Sequence, residues 1–522
     1  MGTPARQWLL RAVTAALTSL YRLYGVRPVT WRLMARNYRP WMGRFAHLHA
    51  WMTCQFAALD VPAYAAHLDR HGWRFRWFRT TSYPPTDKES YVTAYPEHER
   101  CWKGRPEIAG SVVDESSGSS GTPYNWIRGR RELKTVHRNV AGYTSLVFPS
   151  KKLFVINAYS MGAWATGTNT GIAMARIATV KNTGPDLDKI VDTLRHFGPR
   201  YDYLVTAYPP FLKHLRDRLA TEEWFAAARK DYRLAAMVGG EGMTEALRDY
   251  VGDIFGKVRS GYGASDLTIG MGGETTFTVW LRRLIREDPA ARAAFLGADE
   301  QRLPMVFQYN PLETYLETTG DARTGEVLCT INSTAVMAPK LRYNIGDEGT
   351  LTTFPQAWRK LEQLAVSRPE LLDRAQAAAG RERMRLPLLF LYGRADSTIS
   401  YMGANIYPQD VEYGLYAGNP LAELIEGFCL ALGAGDDLEA RPVVHVQLRR
   451  GATLSAAEAD RLAKSCQYGV LRHLAATSRD FAQSVEEDPS AREIAIELHA
   501  YGTGPFAGAS SIKNRYLIRG GA

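Results

Sequence analysis

The sequence predicts an α/β protein in two parts: a large N-terminal domain with doubly wound sheets plus a β-rich subdomain, residues 1–395, and a small α+β C-terminal domain, residues 396–522. Three observations carry this reading. Apolar runs of strand length recur between helical stretches from residue 152 to 262, the order that builds a mostly parallel sheet. Residues 324–352 switch to apolar–polar alternation broken by turn residues, as in antiparallel strands. Past Asp396 a strand, a helix and a second strand make a unit of their own.

In chain order, the first hundred residues are helical in pattern and rich in aromatics. Trp8, Leu9, Val13, Ala16, Leu17, Leu20 and Tyr24 fall at helical spacing, interrupted by Arg6, Arg11 and Arg22. Such a helix is too short and too charged to span a bilayer and makes a poor signal peptide, so it is expected to pack on the domain, with a membrane-surface or partner-docking role as the alternative. The apolar step Ile108–Val113 reads as a strand feeding the Ser/Gly run of residues 114–125. KLFVIN (152–157), YDYLVTAY (201–208), LAAMVGGE (234–241) and the run around Val258–Tyr262 read as buried strands. Between them Ile190, Val191, Leu194 and Phe197 share one face of a crossover helix that starts after Asp186. The segments near 276–310 and 355–385 read as insertions, the second helical. In the last part VVHVQL (443–448), a helix over 454–478 and EIAIELHAY (493–501) complete the order.

At 522 residues the chain exceeds what one compact core holds, and its net charge of +10 suits a partner that is polyanionic: nucleic acid, a membrane surface, or a phosphate-bearing small molecule. It lacks a Lys/Arg-rich cluster of the kind that tracks a phosphate backbone, so nucleic acid is the weakest of the three. The five cysteines, Cys54, Cys101, Cys329, Cys429 and Cys466, are scattered and contain no CxxC pair, which argues against a disulfide framework or a zinc cluster and for a reducing, cytoplasmic setting.

Chemistry is suggested by an ordered set of motifs. Ser116-Ser117-Gly118-Ser119-Ser120-Gly121-Thr122-Pro123 offers hydroxyls and unhindered backbone N–H groups, the means to hold a triphosphate, without the Gly-Lys-Ser/Thr ending of a Walker loop. Downstream come Val238-Gly239-Gly240-Glu241, Gly261-Tyr262-Gly263-Ala264-Ser265-Asp266, Arg342-Tyr343-Asn344-Ile345-Gly346-Asp347 and Gly393-Arg394-Ala395-Asp396. In this order they resemble the adenylate-forming superfamily of acyl-CoA synthetases, adenylation domains and luciferases, with the phenylacetate–coenzyme A ligase branch as the nearest look. The likeness runs from about Ser116 to Glu412.

The resemblance implies ATP and Mg2+ as cofactors, coenzyme A as a candidate co-substrate, and a small-molecule acid or other oxyanion as substrate. It implies a phosphate loop at Ser116–Thr122, an adenine site at Gly239, Gly240, Glu241, Tyr262, Gly263 and Ser265, and a ribose-binding carboxylate at Asp347 beside Arg394. Asp266 stands where relatives usually carry glutamate and is the expected metal ligand; Thr122 stands where many carry lysine. Lys513 is the candidate for the late catalytic lysine, and Asp396 for the hinge about which a mobile C-terminal domain swings. Tyr159, Trp164, Tyr208 and Ala264 are the candidate pocket residues, although each would serve equally as core. The implied activity is an AMP-forming ligase that adenylates an aromatic carboxylate and passes the acyl group to a thiol. The alternatives are a biosynthetic member that activates nitrite for aryl-amine diazotisation, forms an amide or loads a carrier protein, and a non-catalytic nucleotide binder.

Overall fold

The computed structural model describes residues 4–24, 28–116, 124–162, 165–240, 242–243, 245–297, 300, 303–320, 324–394, 399–401, 404–406, 410–411, 414–415, 419–434 and 440–507. Its strands are β1 (Val112–Ser116), β2 (Tyr124–Arg128), β3 (Leu153–Asn157), β4 (Thr179–Asn182), β5 (Asp202–Ala207), β6 (Arg233–Gly239), β7 (Lys257–Ala264), β8 (Thr268–Gly273), β9 (Met305–Tyr309), β10 (Thr314–Thr318), β11 (Gly325–Ile331), β12 (Tyr343–Thr352), β13 (Leu388–Arg394), β14 (Ile399–Tyr401), β15 (Ala404–Ile406), β16 (Ile425–Ala434), β17 (Ala440–Leu448) and β18 (Ala495–His499).

The unbroken apolar runs of the sequence become the centre of an 11-stranded sheet, ordered β10-β11-β12-β13-β9-β8-β7-β6-β5-β3-β4. From β4 to β7 the pairs are parallel, and from β7 to β10 antiparallel. Both faces of the parallel half are covered, which is why these strands lack alternation. Phe154, Ile156, Val205 and Val238 pack to one side with Ile190, Leu194 and Leu215, while Val155, Leu204 and Met237 pack to the other with Val140, Val147 and Met174. A fully buried side chain of this size contributes about 1.5–3 kcal/mol. The crossover helix Leu187–Phe197 begins where the Asp186 carboxylate accepts from Lys189 N at 2.9 Å and ends at Gly198, φ +66°. The antiparallel strands of the expected β-rich part extend this sheet edge to edge, because β8 and β9 pair across the junction at Gly272 and Gly273.

Both insertions fold as helices and meet. Thr276–Glu287 and Pro289–Leu296 pack Phe277, Leu281 and Phe295 against Phe354, Leu361 and Leu371 of Phe354–Ala365 and Glu370–Glu382, over Phe390 of β13. The N-terminal helix Pro4–Tyr24 docks on the domain through Leu10 and Thr14, an Arg11–Asp60 ion pair and Arg6 over the Phe75 ring. Trp8 and Leu9 stay exposed. Among the described residues no helix is long and apolar enough to cross a membrane. All five cysteines are buried free thiols.

Beyond residue 398, β16, β17 and β18 form a three-stranded sheet backed by the helix Ala456–Thr477. Its core, from Ile399 to Ile494, unites Phe428, Leu430, Val444 and Val446 with Leu462, Cys466 and Val470. This unit touches the large sheet's helices at a polar seam: His214 lies 2.7 Å from Asp488, and the Ser160 hydroxyl donates to Glu487.

Candidate active site

The glycines of the predicted adenine site have steric reasons to be glycine. Gly240 follows β6 at φ +87°, and a Cβ there would fall 2.6 Å from the Tyr208 ring. A Cβ on Gly263 would meet the β8 backbone at 2.9 Å. Tyr208 in turn packs edge-on against the buried ring of Tyr159, centroids 5.2 Å apart. Tyr159, Gly239, Gly240, Gly261, Tyr262, Gly263, Ala264 and Ser265 line one cavity of about 110 Å3, so strand ends separated by a hundred residues of chain converge on a single space.

Tyr262 projects from β7 with its ring stacked on Phe307, centroids 5.6 Å apart, and its hydroxyl donating to an Asp347 carboxylate oxygen at 2.5 Å. The core packing allowed for this tyrosine and a role toward Asp347 are therefore combined in one side chain. Asp347 pairs in register with Arg394 across β12 and β13, with a bulge at the next step, Glu348–Gly349. Two predicted partners are thus neighbours by strand pairing; the Arg394 side chain lies outside the described residues.

Asp266 sits in the turn after β7 and accepts a hydrogen bond from Tyr343 at 2.9 Å. A single carboxylate fits Mg2+, which ordinarily takes one or two protein carboxylates and leaves the remaining positions to phosphates and water. Near it lies a group that the sequence reading missed. Lys340 is buried with its ammonium 3.4 Å above the centroid of Trp126 and 5.3 Å from that of Tyr343. Burial pushes this lysine well below its ordinary range, Arg128 adds to that, and Asp266 opposes it. A lone lysine in VMAPKLRY carries no sequence signal distinguishing it from one that snorkels to solvent. Arg128 was missed for the same reason. It is buried, donates to Glu132 at 3.1 Å and to the Leu267 carbonyl at 2.8 Å, also donates to the Ser265 carbonyl, and lies 3.5 Å from Asp114. It therefore ties the β1–β2 hairpin, which brackets the Ser/Gly run, to the turn that holds Asp266.

Ser116 ends β1, paired with Tyr124. Ser117, Gly118, Ser119, Ser120, Gly121, Thr122, Trp164, Glu241, Asp396 and Lys513 lie outside the described residues. A larger cavity of about 1060 Å3, lined by Arg36, Arg39, Arg359, Arg383 and Arg385, shares one lining residue, Tyr309, with the smaller cavity.

No family model matches the sequence, and no curated protein does. Solved structures do match. A 2-hydroxyisobutyryl-CoA ligase in complex with 2-HIB-AMP and CoA superposes with a TM-score of 0.57 at 14% identity, over 93% of this chain and 91% of that chain. The chain has that ligase's fold. Looser matches include the amide bond synthetase McbA from Marinactinospora thermotolerans (TM-score 0.44, 13% identity, 76% of this chain and 66% of that chain) and a malonyl-CoA ligase with methylmalonyl-CoA and AMP bound (0.41, 14%, 75% and 71%). Within the shared fold the Gly239–Gly240 turn, the β7 strand end and the β12 carboxylate stand at one end of the sheet, where loops after parallel strands ordinarily make ligand sites.

Proposed function

We propose that this chain is an ATP-dependent, AMP-forming adenylating ligase. The observation that supports it most is the convergence of separate motifs on one cavity, with Tyr262 donating across strands to Asp347. In this reading the first half-reaction joins a substrate oxyanion to the α-phosphorus of ATP, breaking the bridge to the β-phosphorus and releasing pyrophosphate. Asp347 accepts from the ribose hydroxyls, its carboxylate held by Tyr262; a carboxylate meets two hydroxyls at once. The Ser116–Thr122 loop, Arg394 and Lys513 bear on the phosphates by position and charge. Asp266 would hold Mg2+, which neutralises phosphate charge when bound. Lys340 sits beside that carboxylate, whose charge favours its protonated form against the cost of burial, in a site whose loop carries Thr122 in place of lysine.

Residues 1–395 and 396–522 are proposed as the large domain and the moving one, with rotation at Asp396 exchanging the two half-reactions. The separate hydrophobic core beyond residue 398 and the polar seam at His214–Asp488 support that division. An aromatic acid and coenzyme A, the pair used by the phenylacetate–coenzyme A ligase branch, are the favoured substrate and acceptor. A second reading keeps the adenylation step and takes another oxyanion, such as nitrite, with a specialised acceptor. A carrier-protein acceptor remains part of that reading.

The test is pyrophosphate release from Mg·ATP across aryl acids, short aliphatic acids, fatty acids, amino acids, and nitrite with an aryl amine. Release with one class, lost in Asp347→Ala and Lys513→Ala, establishes adenylation and names the substrate class. ATP binding without release on any of them moves the chain to the nucleotide binders.

A further inference from the structure

A cluster on the outer face of the C-terminal sheet has no part in the proposed reaction. β17 and β18 run parallel, with His445 opposite Glu497 and Gln447 opposite His499. Residues two apart on a strand share a face, so Glu497 and His499 stand together beside His445, while Val444 and Val446 turn into the core. His445 Nδ1 lies 3.0 Å from His499 Nε2 and 3.1 Å from one Glu497 oxygen, and that same oxygen lies 3.7 Å from His499 Nε2. Ligand atoms about 2.0–2.1 Å from a tetrahedral zinc are separated from one another by about 3.3–3.4 Å. The three observed separations bracket that edge, so the three atoms are spaced as ligands of one ion are.

We propose that His445, Glu497 and His499 form a binding site for a divalent transition metal, with zinc the ion that fits best. Two imidazoles select zinc and its neighbours over Mg2+ and Ca2+, which prefer all-oxygen sites. The set is also preorganised. A Cβ at Gly504, φ +57°, would fall 2.4 Å from His499 Nδ1, and the Phe506 ring meets the His499 ring at 5.9 Å, so this turn fixes the imidazole. The Glu497 side chain is 54% exposed against 14% and 19% for the histidines, which leaves an entry path and room for water as a fourth ligand. Bound there, the ion clips edge strand β18 to β17, just before the chain runs on to Lys513.

The experiment uses the full chain, stripped with a chelator and titrated with Zn2+ against a chromophoric competitor, and with Co2+ read by its visible absorption. The expected result is one equivalent bound, a tetrahedral Co2+ band, and a thermal midpoint that rises with zinc. His445→Ala and His499→Ala each lower the affinity at least on the order of 100-fold, and Glu497→Gln less, with circular dichroism establishing that the variants fold. Zinc affinity equal in wild type and the His445→Ala/His499→Ala double variant overturns the proposal, as does a Co2+ spectrum unchanged by those substitutions. Neither readout involves ATP, so the outcome is independent of the adenylation assay.

Discussion

Tyr262 is fixed at both ends, its ring by Phe307 and its hydroxyl by Asp347, and that makes the pair separable by experiment. Tyr262→Phe keeps the stack and removes one hydrogen bond to a carboxylate, an interaction worth about 1.5–3 kcal/mol, or roughly a 10- to 100-fold effect. The expected outcome is a loss of kcat/KM for ATP in that range with the thermal midpoint little changed. Lys340 makes the opposite kind of prediction. Burying an ammonium is costly, and an apolar side chain of similar length at the same place removes that cost. Lys340→Met is therefore expected to melt at or above the wild-type temperature while pyrophosphate release falls; reduced stability with unchanged release would assign the lysine a purely structural role. At Gly240 a side chain meets both a positive φ and the Tyr208 ring, so Gly240→Ala is expected to destabilise by more than about 1 kcal/mol, read by denaturant titration.

Among the elements, the helix Arg479–Glu487 lies at the seam between the two parts, where its Glu487 accepts from the Ser160 hydroxyl. Asp480 on it is buried, and burial followed by the Glu115 charge pushes its carboxyl up to about 6. A folded-state value above the unfolded one means that the folded state binds more protons between them. Stability from this group is thus present below about pH 4 and lost as pH rises through about 6, on the order of 3 kcal/mol in all. Asp480→Asn is expected to raise the melting temperature at pH 7 and to change it little at pH 4.5. Equal effects at the two pH values would remove the carboxyl from the account. The strands nearby show why some contacts were hidden in the sequence: Arg128 reaches Ser265 and Leu267 only because the β1–β2 hairpin is laid over the turn after β7, a placement that no local pattern encodes.

For the whole molecule, two cores and a polar seam predict a definite response to protease. Limited proteolysis is expected to yield two stable products, one holding the core built on the large sheet and the other the core from Ile399 to Ile494, as followed by mass spectrometry. The sequence by itself determined the α/β class, the central strands, the crossover helix, the helical insertion of 355–385 and the order of the glycine-rich turns, because these depend on periodicity and on turn chemistry that are local to the chain. The ordered motifs also singled out Gly239, Gly240, Tyr262 and Ala264, which line one cavity, and Asp347, which accepts a hydrogen bond from Tyr262. Only the tertiary structure decided that the parallel and antiparallel strands share one sheet and that the insertions pack on each other. It alone placed the buried Lys340 over Trp126 near Asp266, and brought His445, Glu497 and His499 within about 4 Å of one another. The reason is physical. Strand pairing and burial join residues far apart in the chain, and a lysine or a histidine gains its chemical meaning from the charges and rings that folding sets around it.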